Sequence, residues 1–170
     1  MIPPITELDA EVLYQKLLLQ IKTTLQDNPE LAVVGIHSGG AWLAERITSD
    51  LQLSRSPGII DVSFYRDDYA QKGLPSKVVP TQIPFDVEGA TILLIDDVLY
   101  TGRTTRAAIN ELFDYGRPGK ILLAALIDRG QRELPIAANF TAATVSIPKE
   151  QVLVLTRDHN NIFSLTVEHV

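Results

Sequence analysis

The chain has 170 residues, a net charge of −6 and no cysteine. This length suits a single domain, and the apolar and charged shares, 45% and 21%, are those of a globular protein and exclude extensive disorder. The lack of cysteine excludes disulfides and Cys-ligated zinc, and the three histidines are too scattered to form a multi-His metal site by local spacing.

The first part of the chain predicts helices and strands in alternation. Residues 6–26 are predicted as a helix, because a Thr-x-x-Asp start signal is followed by apolar residues at helical spacing. Residues 31–36 are a short apolar run that predicts a strand, and residues 37–40 predict a turn. Leucine and isoleucine four residues apart predict a second helix over 43–51, and alternation at 60–64 predicts another strand.

Residues 65–90 differ from the rest, since they hold three prolines and two glycines and show little periodicity. Connections of this length are usually functional or mobile. Beyond them the pattern predicts a strand at 91–95 that Asp96-Asp97 ends, a helix at 104–115, and further strands at 120–127, 143–147, 152–155 and 162–167. Such alternation predicts an α/β fold with a mainly parallel sheet covered on both faces, in one domain over residues 1–170.

The segment most informative about chemistry is residues 92–104. A buried strand leads to two adjacent carboxylates, Asp96 and Asp97, at the sheet edge where α/β proteins bind ligands. Thr101–Thr104 then opens a helix, whose first N–H groups favour an anion, and Gly102 allows close backbone approach. Carboxylates beside a phosphate cradle suit a phosphorylated sugar with a divalent cation.

Two other interpretations of this segment remain. The first is an ordinary strand-loop-helix with an N-cap threonine, although adjacent carboxylates at the end of an apolar strand repel each other and lose hydration, which makes a purely structural role costly. The second is a phospho-acceptor signalling domain. In that class most of the sheet follows the acidic pair, whereas too little of this chain follows Asp97.

Residues 92–104 resemble the phosphoribosyl-pyrophosphate (PRPP) signature of type I phosphoribosyltransferases. Together with blocks at 35–45, 61–68, 115–118 and 128–136, they resemble the PyrR family of pyrimidine operon regulators and uracil phosphoribosyltransferases. The resemblance implies a type I phosphoribosyltransferase fold with a small hood. It also implies pyrimidine salvage by a Mg²⁺-dependent transfer in which uracil and PRPP give UMP and pyrophosphate.

The resemblance also implies roles for individual residues. Asp96 and Asp97 would be catalytic residues that hold the ribose hydroxyls, with Mg²⁺ bound mainly through the substrate and these two as its candidate protein ligands. Arg66, in the loop that closes over the site, would bring positive charge to the pyrophosphate. The residues implied for the 5′-phosphate and ribose are Asp96, Asp97, Tyr100, Thr101, Gly102, Arg103 and Thr104.

The turn after the first strand would be the pyrophosphate loop, formed by His37, Ser38, Gly39 and Gly40. Related regulators often have Thr-Arg-Gly here, so that Gly39 replaces a cation in this chain. Arg129 is a candidate for orienting uracil, and its alternative role is a surface ion pair with a carboxylate such as Glu133. Backbone groups of the hood near residues 147–152 are the alternative for base recognition. Lys72, in the loop, is expected to be solvated.

Many relatives bind a messenger RNA hairpin when UMP is present. Those regulators carry an Arg and a His-Glu pair on the first helix, where this chain has Lys16, Leu19 and Gln20. Residues 1–50 hold seven acidic and three basic side chains, whereas residues 103–132 hold six basic and three acidic ones. We therefore predict a uracil transferase with RNA regulation weakened or lost.

The alternatives are a UMP-responsive RNA-binding attenuator of pyrimidine biosynthesis genes with weak or no catalysis, and a PRPP or UMP sensor with little turnover. The resemblance also implies a homodimer or a larger homo-oligomer. The partly apolar residues 112–115 are either an interface for it or part of the core.

The location of the protein is predicted from segments that are missing. The first ten residues lack the basic start and apolar run of a signal peptide, and no stretch approaches the roughly 20 apolar residues of a membrane span. We therefore expect a cytoplasmic protein with no membrane partner.

Overall fold

The structure is a computed structural model that describes residue 5 and residues 8–63 and 80–170. Arg66 and Lys72 lie outside these residues. The described helices are α1 (Ala10–Leu25), α2 (Gly39–Asp50) and α3 (Arg103–Asp114). The described strands are β1 (Ala32–Ile36), β2 (Gly58–Ile60), β3 (Thr91–Leu99), β4 (Lys120–Asp128), β5 (Phe140–Thr144), β6 (Gln151–Arg157) and β7 (Phe163–His169).

Five strands form one parallel sheet in the order β2-β1-β3-β4-β5. Because all five run the same way, their carboxyl ends meet at one edge of the sheet. The strand order reverses between β1 and β3. From β1 the chain continues outward to β2 at one edge of the sheet, and from β3 it continues outward to β4 and β5 at the other. In open α/β sheets the crevice outside this reversal point is where ligands bind.

Helices cover both faces of this sheet. Leu13, Leu17 and Ile21 recur along one side of α1, and they pack with buried residues of α2 on the face that includes Leu93 and Ile95. The buried side of α3 packs on the opposite face. The resulting three layers are the usual way in which a parallel sheet buries both of its apolar faces.

A second, two-stranded antiparallel sheet is formed by β6 and β7, and we call it the hood. Its residues Leu153, Leu155 and Phe163 are buried against the face covered by α1 and α2. The hood is also tied to α2 by an ion pair of 2.6 Å between Arg157 Nη1 and Glu45 Oε2.

The Arg46 side chain of α2 joins both helices to the hood. Its Nη1 pairs with Glu11 Oε1 at 2.8 Å, and its guanidinium lies 4.1 Å from the Tyr14 ring centre and 5.1 Å from that of Phe163. The Tyr14 hydroxyl donates to Asp50 Oδ2 at 2.6 Å. Burial raises the pKa of Tyr14 strongly, as does this hydrogen bond, so the phenol stays a neutral donor.

Some predicted boundaries are wrong. α1 begins at Ala10 rather than near residue 6, because Asp9 is the N-cap and its carboxylate accepts the Val12 N–H at 3.0 Å. The residues predicted as a turn already include the start of α2 at Gly39. β3 does not end at the acidic pair but continues through it to Leu99.

Candidate functional site

A cavity of about 240 Å³ opens at the carboxyl ends of β1, β3 and β4 and beneath the hood. It therefore lies outside the strand-order reversal between β1 and β3. Predicted site residues that line it are His37, Ser38, Asp96, Asp97, Tyr100, Thr101, Gly102, Thr104 and Arg129. The remaining lining residues are Ile36, Val98, Leu99, Thr105, Val152, Leu153 and Val154, of which Thr105, Leu153 and Val154 lie outside the segments that the sequence assigned to the site.

Asp96 and Asp97 lie within β3, so their side chains point to opposite faces of the sheet. Asp97 shares the face that α2 covers, and Asp96 shares the face that α3 covers. One oxygen of each carboxylate accepts the next backbone N–H, from Asp97 and from Val98, both at 2.9 Å. Both residues nevertheless line the same cavity.

The loop after β1 is held against the acidic pair. The His37 N–H donates to the Ile60 carbonyl at 2.8 Å, and the His37–Ser38 peptide bond is cis. Gly39 lies directly against the Asp97 carboxylate, since a Cβ at position 39 would be 2.7 Å from Asp97 Cγ. Gly39 and Gly40 do not line the cavity, and any side chain at position 39 would require a shift of either the loop or the Asp97 carboxylate.

The loop after β3 leads into α3 through Gly102, whose φ of +93° is strained for any residue with a side chain. The N-cap residue Gly102 has no side chain to cap α3, but Thr101 Oγ1 accepts the Arg103 N–H at 3.2 Å. Thr105 Oγ1 is buried without a hydrogen-bond partner among the described residues. This helix start therefore presents hydroxyl and N–H groups of the kind that bind phosphate.

Arg103 does not line the cavity. Its exposed side chain pairs with Glu133, with 2.9 Å between Nε and Oε2. The alternative role of Arg129, an ion pair with Glu133, is not observed. Glu133 pairs with Arg103 instead.

Arg129 is buried, with only 4% of its surface exposed, and it joins the end of β4 to the hood. Its guanidinium lies 3.9 Å from the centre of the Tyr100 ring and donates to the carbonyls of Gln151 at 3.0 Å and Pro148 at 3.3 Å. Its Nε has no hydrogen-bond partner among the described residues. Burial lowers the pKa of this guanidinium, which nevertheless belongs to a group that stays charged in proteins.

The hood residues of the cavity were the hardest to predict. The sequence placed the base-binding backbone groups of the hood near residues 147–152; of these Val152 lines the cavity, together with Leu153 and Val154. Alternation predicted the strand β6 but not the strand with which it pairs, because β6 pairs with β7 in a separate sheet. Thr105 could have been predicted as a site residue, because it follows Thr104 in the first turn of a helix next to the acidic pair.

The donor set suits a magnesium ion that is bound mainly by substrate. Among the described residues no group of three or more His, Cys, Asp or Glu side chains is placed to hold a metal. Mg²⁺ commonly uses one or two carboxylates together with substrate phosphates, and Asp96 and Asp97 are carboxylates of this kind beside the candidate phosphate loops. No helix in the described part of the chain is both long and apolar enough to cross a membrane.

Comparison with known proteins agrees with this geometry. The phosphoribosyl transferase domain family matches residues 6–153. The bifunctional protein PyrR of Ralstonia nicotianae is 51% identical over 89% of this chain and 88% of its own length. The PyrR of Nitrosococcus oceani is 43% identical over 89% and 88%.

Solved structures with this fold include a hypoxanthine-guanine phosphoribosyltransferase of Bacillus anthracis, with a TM-score of 0.64, 19% identity and coverage of 86% of this chain and 84% of that one. A hypoxanthine phosphoribosyltransferase of Staphylococcus aureus has a TM-score of 0.62, 22% identity and coverage of 86% and 80%. They confirm the predicted fold, a parallel sheet flanked by helices. The chain belongs to the phosphoribosyltransferase family and, within it, to the PyrR family.

Proposed function

We propose that this chain, as one phosphoribosyltransferase domain over residues 1–170, joins uracil to PRPP and releases UMP and pyrophosphate. The observation that carries the proposal is the position of Asp96 and Asp97 in a cavity between two phosphate-type loops and the hood. The relatives named bifunctional protein PyrR support the choice of a pyrimidine substrate.

Two helix N-termini converge on this cavity and account for the two ends of PRPP. α2 begins at Gly39 and α3 begins at Arg103, and each carries positive partial charge at its first turn. We assign the 5′-phosphate to the loop that leads into α3, which includes Thr101 and Thr104. The pyrophosphate is assigned to the loop that leads into α2, which includes His37 and Ser38.

The ribose then lies over the acidic pair. As the bond between ribose and pyrophosphate breaks, positive charge develops on the ribose, and the carboxylates of Asp96 and Asp97 stabilise it and orient its hydroxyls. When bound with PRPP, Mg²⁺ neutralises the departing pyrophosphate. Arg66, outside the described residues, remains a proposed cationic contact to the pyrophosphate.

Uracil is assigned to the space beneath the hood. Its two carbonyl oxygens need donors, and its N3–H needs an acceptor. Backbone groups of Val152–Val154, which line the cavity, are the proposed partners, and Arg129 holds this strand by donating to the Gln151 carbonyl at 3.0 Å. The partnerless Nε of Arg129 is the candidate side-chain donor to a uracil oxygen.

The test is UMP formation from uracil, PRPP and Mg²⁺ by wild type and by Asp97→Asn. We expect turnover that requires Mg²⁺ and a loss of at least about tenfold in kcat/KM in the variant, which corresponds to about 1.4 kcal/mol of transition-state stabilisation.

The matched control is Asp86→Asn. Asp86 is exposed, and its carboxylate also accepts a nearby backbone N–H, that of Glu88 at 3.0 Å, but it lies outside the cavity. Activity should be unchanged in this variant. Absence of UMP formation by micromolar wild-type enzyme would refute the proposal and leave the nucleotide sensor.

A second candidate function is UMP-responsive RNA binding that attenuates transcription. The relatives' description as bifunctional favours it. The described surface also carries exposed cations on and after α3, at Arg103, Arg106, Arg117 and Lys120. We propose that this function is weakened or lost here.

We further propose a homodimer or larger homo-oligomer, because Phe113 and Tyr115 at the end of α3 are 54% and 48% exposed while Leu112 is buried. Sedimentation or light scattering of wild type checks the assembly, and a monomer at working concentrations would contradict it.

A further inference from the structure

The segment that follows β4, residues 129–136, is hydrogen bonded along the 5′-phosphate loop. The Arg129 N–H donates to the Leu99 carbonyl at 3.0 Å, and the N–H groups of Glu133 and Leu134 both donate to the Thr101 carbonyl, at 2.9 and 3.1 Å. The segment also packs against the turn of this loop, since a Cβ on Gly102 would lie 3.0 Å from Ile136 Cγ1. The two segments therefore form one hydrogen-bonded unit.

Arg132 is the side chain at the centre of this unit. Its Nε donates to the Ile136 carbonyl at 2.8 Å, its Nη1 to the Tyr100 carbonyl at 2.7 Å and its Nη2 to Asp128 Oδ2 at 2.6 Å. The planar guanidinium thus uses all three of its nitrogens on protein acceptors in three directions. Such charge-assisted hydrogen bonds are among the strongest in proteins.

The Tyr100 carbonyl is the acceptor that connects Arg132 to phosphate binding. A trans peptide is planar, so its N–H points away from its C=O. Because the Tyr100 carbonyl faces Arg132 and the Thr101 carbonyl faces Glu133 and Leu134, the N–H groups of Thr101 and Gly102 point away from this segment.

The cavity lies on that opposite side. Tyr100, Thr101 and Gly102 line it, whereas residues 130–136, all of which are described, do not. The hydrogen bonds from behind the loop therefore aim two backbone N–H groups at the space assigned to the 5′-phosphate.

We propose that Arg132 is a positioning residue that orients the backbone N–H groups of the 5′-phosphate loop without touching the substrate. This role of Arg132 rests on one part of the proposed function, namely that the loop leading into α3 binds a phosphate. It also removes Arg132 from the cations available to an RNA backbone, since its guanidinium is committed to Tyr100, Asp128 and Ile136.

The experiment compares binding of UMP and of uridine, which lacks the phosphate, by calorimetry, and it adds KM values for PRPP and uracil. In Arg132→Gln we expect the dissociation constant for UMP and the KM for PRPP to rise at least tenfold. The dissociation constant for uridine and the KM for uracil should change by less than twofold. A general structural defect would weaken both ligands alike and would overturn the proposal.

Arg132→Lys separates the effect of hydrogen-bond geometry from the effect of charge, because lysine keeps the positive charge and loses the planar guanidinium. We expect it to recover only part of the UMP affinity. Full recovery would overturn the proposal, since charge alone would then suffice.

Arg55→Gln is the matched control. It removes the same charge from an ion pair with Glu30, near the amino ends of the strands and outside the cavity. The ratio of UMP to uridine affinity should stay at the wild-type value in this variant.

Thermal melts without ligand report whether each variant folds. Should Arg132→Gln not fold, Asp128→Asn serves in its place, because it removes a single partner of the guanidinium. It should lower the ratio of UMP to uridine affinity by a smaller factor. An unchanged ratio would overturn the proposal. Wild type that prefers UMP to uridine but forms no UMP would refute the proposed catalysis while leaving this test intact. Equal wild-type affinity for both ligands would overturn both proposals.

Discussion

Gly39 shows that, at the scale of single residues, the site depends on a missing side chain as well as on charges. Its backbone lies against the Asp97 carboxylate, so that the loop after β1 and the acidic pair of β3 share one small space. The sequence showed only that a cation of related regulators was absent at this position. The structure adds that, with the loop in this conformation, the Asp97 carboxylate occupies the space a side chain at position 39 would need.

We predict that Gly39→Ala lowers kcat/KM for UMP formation at least tenfold. The added Cβ overlaps the Asp97 carboxylate, and relief requires a shift of either the loop or the carboxylate. Overpacking of this kind typically costs about 1–3 kcal/mol of stability. Steady-state kinetics and urea denaturation measure the two effects separately.

Gly89→Ala is the control for this substitution. Gly89 has a φ of +70°, and its Cβ would meet nothing within 4 Å, so alanine there adds backbone strain of about 1–2 kcal/mol without a clash. Stability should fall while activity stays at the wild-type value. Wild-type activity in Gly39→Ala would show that the position of Asp97 tolerates this change.

At the scale of elements, α2 connects the loop after β1 to the hood. Its first residue, Gly39, lies against Asp97, while Glu45 and Arg46 further along pair with side chains of the hood and of α1. The hood and the loop after β1 therefore contact the same helix at different positions. We call Arg46 with Glu11, Tyr14 and Phe163 the Arg46 cluster; it links both helices to the hood, whereas Arg129 links β4 to the hood.

We predict that Arg46→Gln lowers the free energy of unfolding by about 1.5–3 kcal/mol, the range for hydrogen bonds to charged groups. The substitution leaves the Glu11 carboxylate, only 29% exposed, without its cation, and it removes the stacking on Tyr14 and Phe163. Urea denaturation measures the change. Arg55→Gln, which breaks a more exposed pair, should cost about 1 kcal/mol or less, and equal losses in the two variants would contradict the role of the cluster.

The same cluster predicts a dependence of stability on pH. The hydrogen bond from Arg46 lowers the pKa of the Glu11 carboxyl and outweighs the opposing effect of burial. A group whose pKa is lower in the folded state contributes stability above its unfolded pKa, near 4, and loses that contribution as the pH falls through the folded value. Wild type should therefore lose stability below about pH 4 more steeply than Glu11→Gln, as measured by urea denaturation from pH 2.5 to 6. Parallel curves would show that Glu11 has the same pKa in both states.

Periodicity predicted most elements, whereas their ends depended on tertiary contacts. Apolar residues at helical spacing identified α1 and α3 to within a few residues. The end of β3 was placed too early because a run of carboxylates usually marks a loop, while in the fold β4 pairs with β3 as far as Leu99. Burial of Arg129 was not predictable, because it requires the hood to lie over the end of β4, a contact between residues about 20 positions apart that no local pattern encodes.

At the scale of the whole molecule, the charge is unevenly distributed. The net charge is −6, yet residues 103–132 hold twice as many basic as acidic side chains. Of those basic residues, Arg129 is buried and Arg132 is committed to internal acceptors. The cations counted on the sequence therefore overstate what the surface offers to a polyanion.

The first helix adds to this argument. Leu19 is 65% exposed, and Gln20 donates to the Thr141 carbonyl at 3.0 Å, at the positions where related regulators carry His and Glu. An exposed leucine contributes nothing to the binding of an RNA phosphate backbone, because that binding depends on cationic side chains that release counterions.

We therefore predict that a hairpin from the leader transcript of pyrimidine biosynthesis genes binds no more than threefold tighter than a scrambled stem-loop of the same length, with or without UMP. Both dissociation constants should lie in the non-specific range of about 10⁻⁶ to 10⁻⁴ M at physiological salt. Fluorescence anisotropy between 50 and 200 mM salt measures them. Submicromolar binding of the hairpin that requires UMP and weakens steeply with salt would establish RNA regulation, and the exposed cations Arg106, Arg117 and Lys120 would then be the first residues to neutralise.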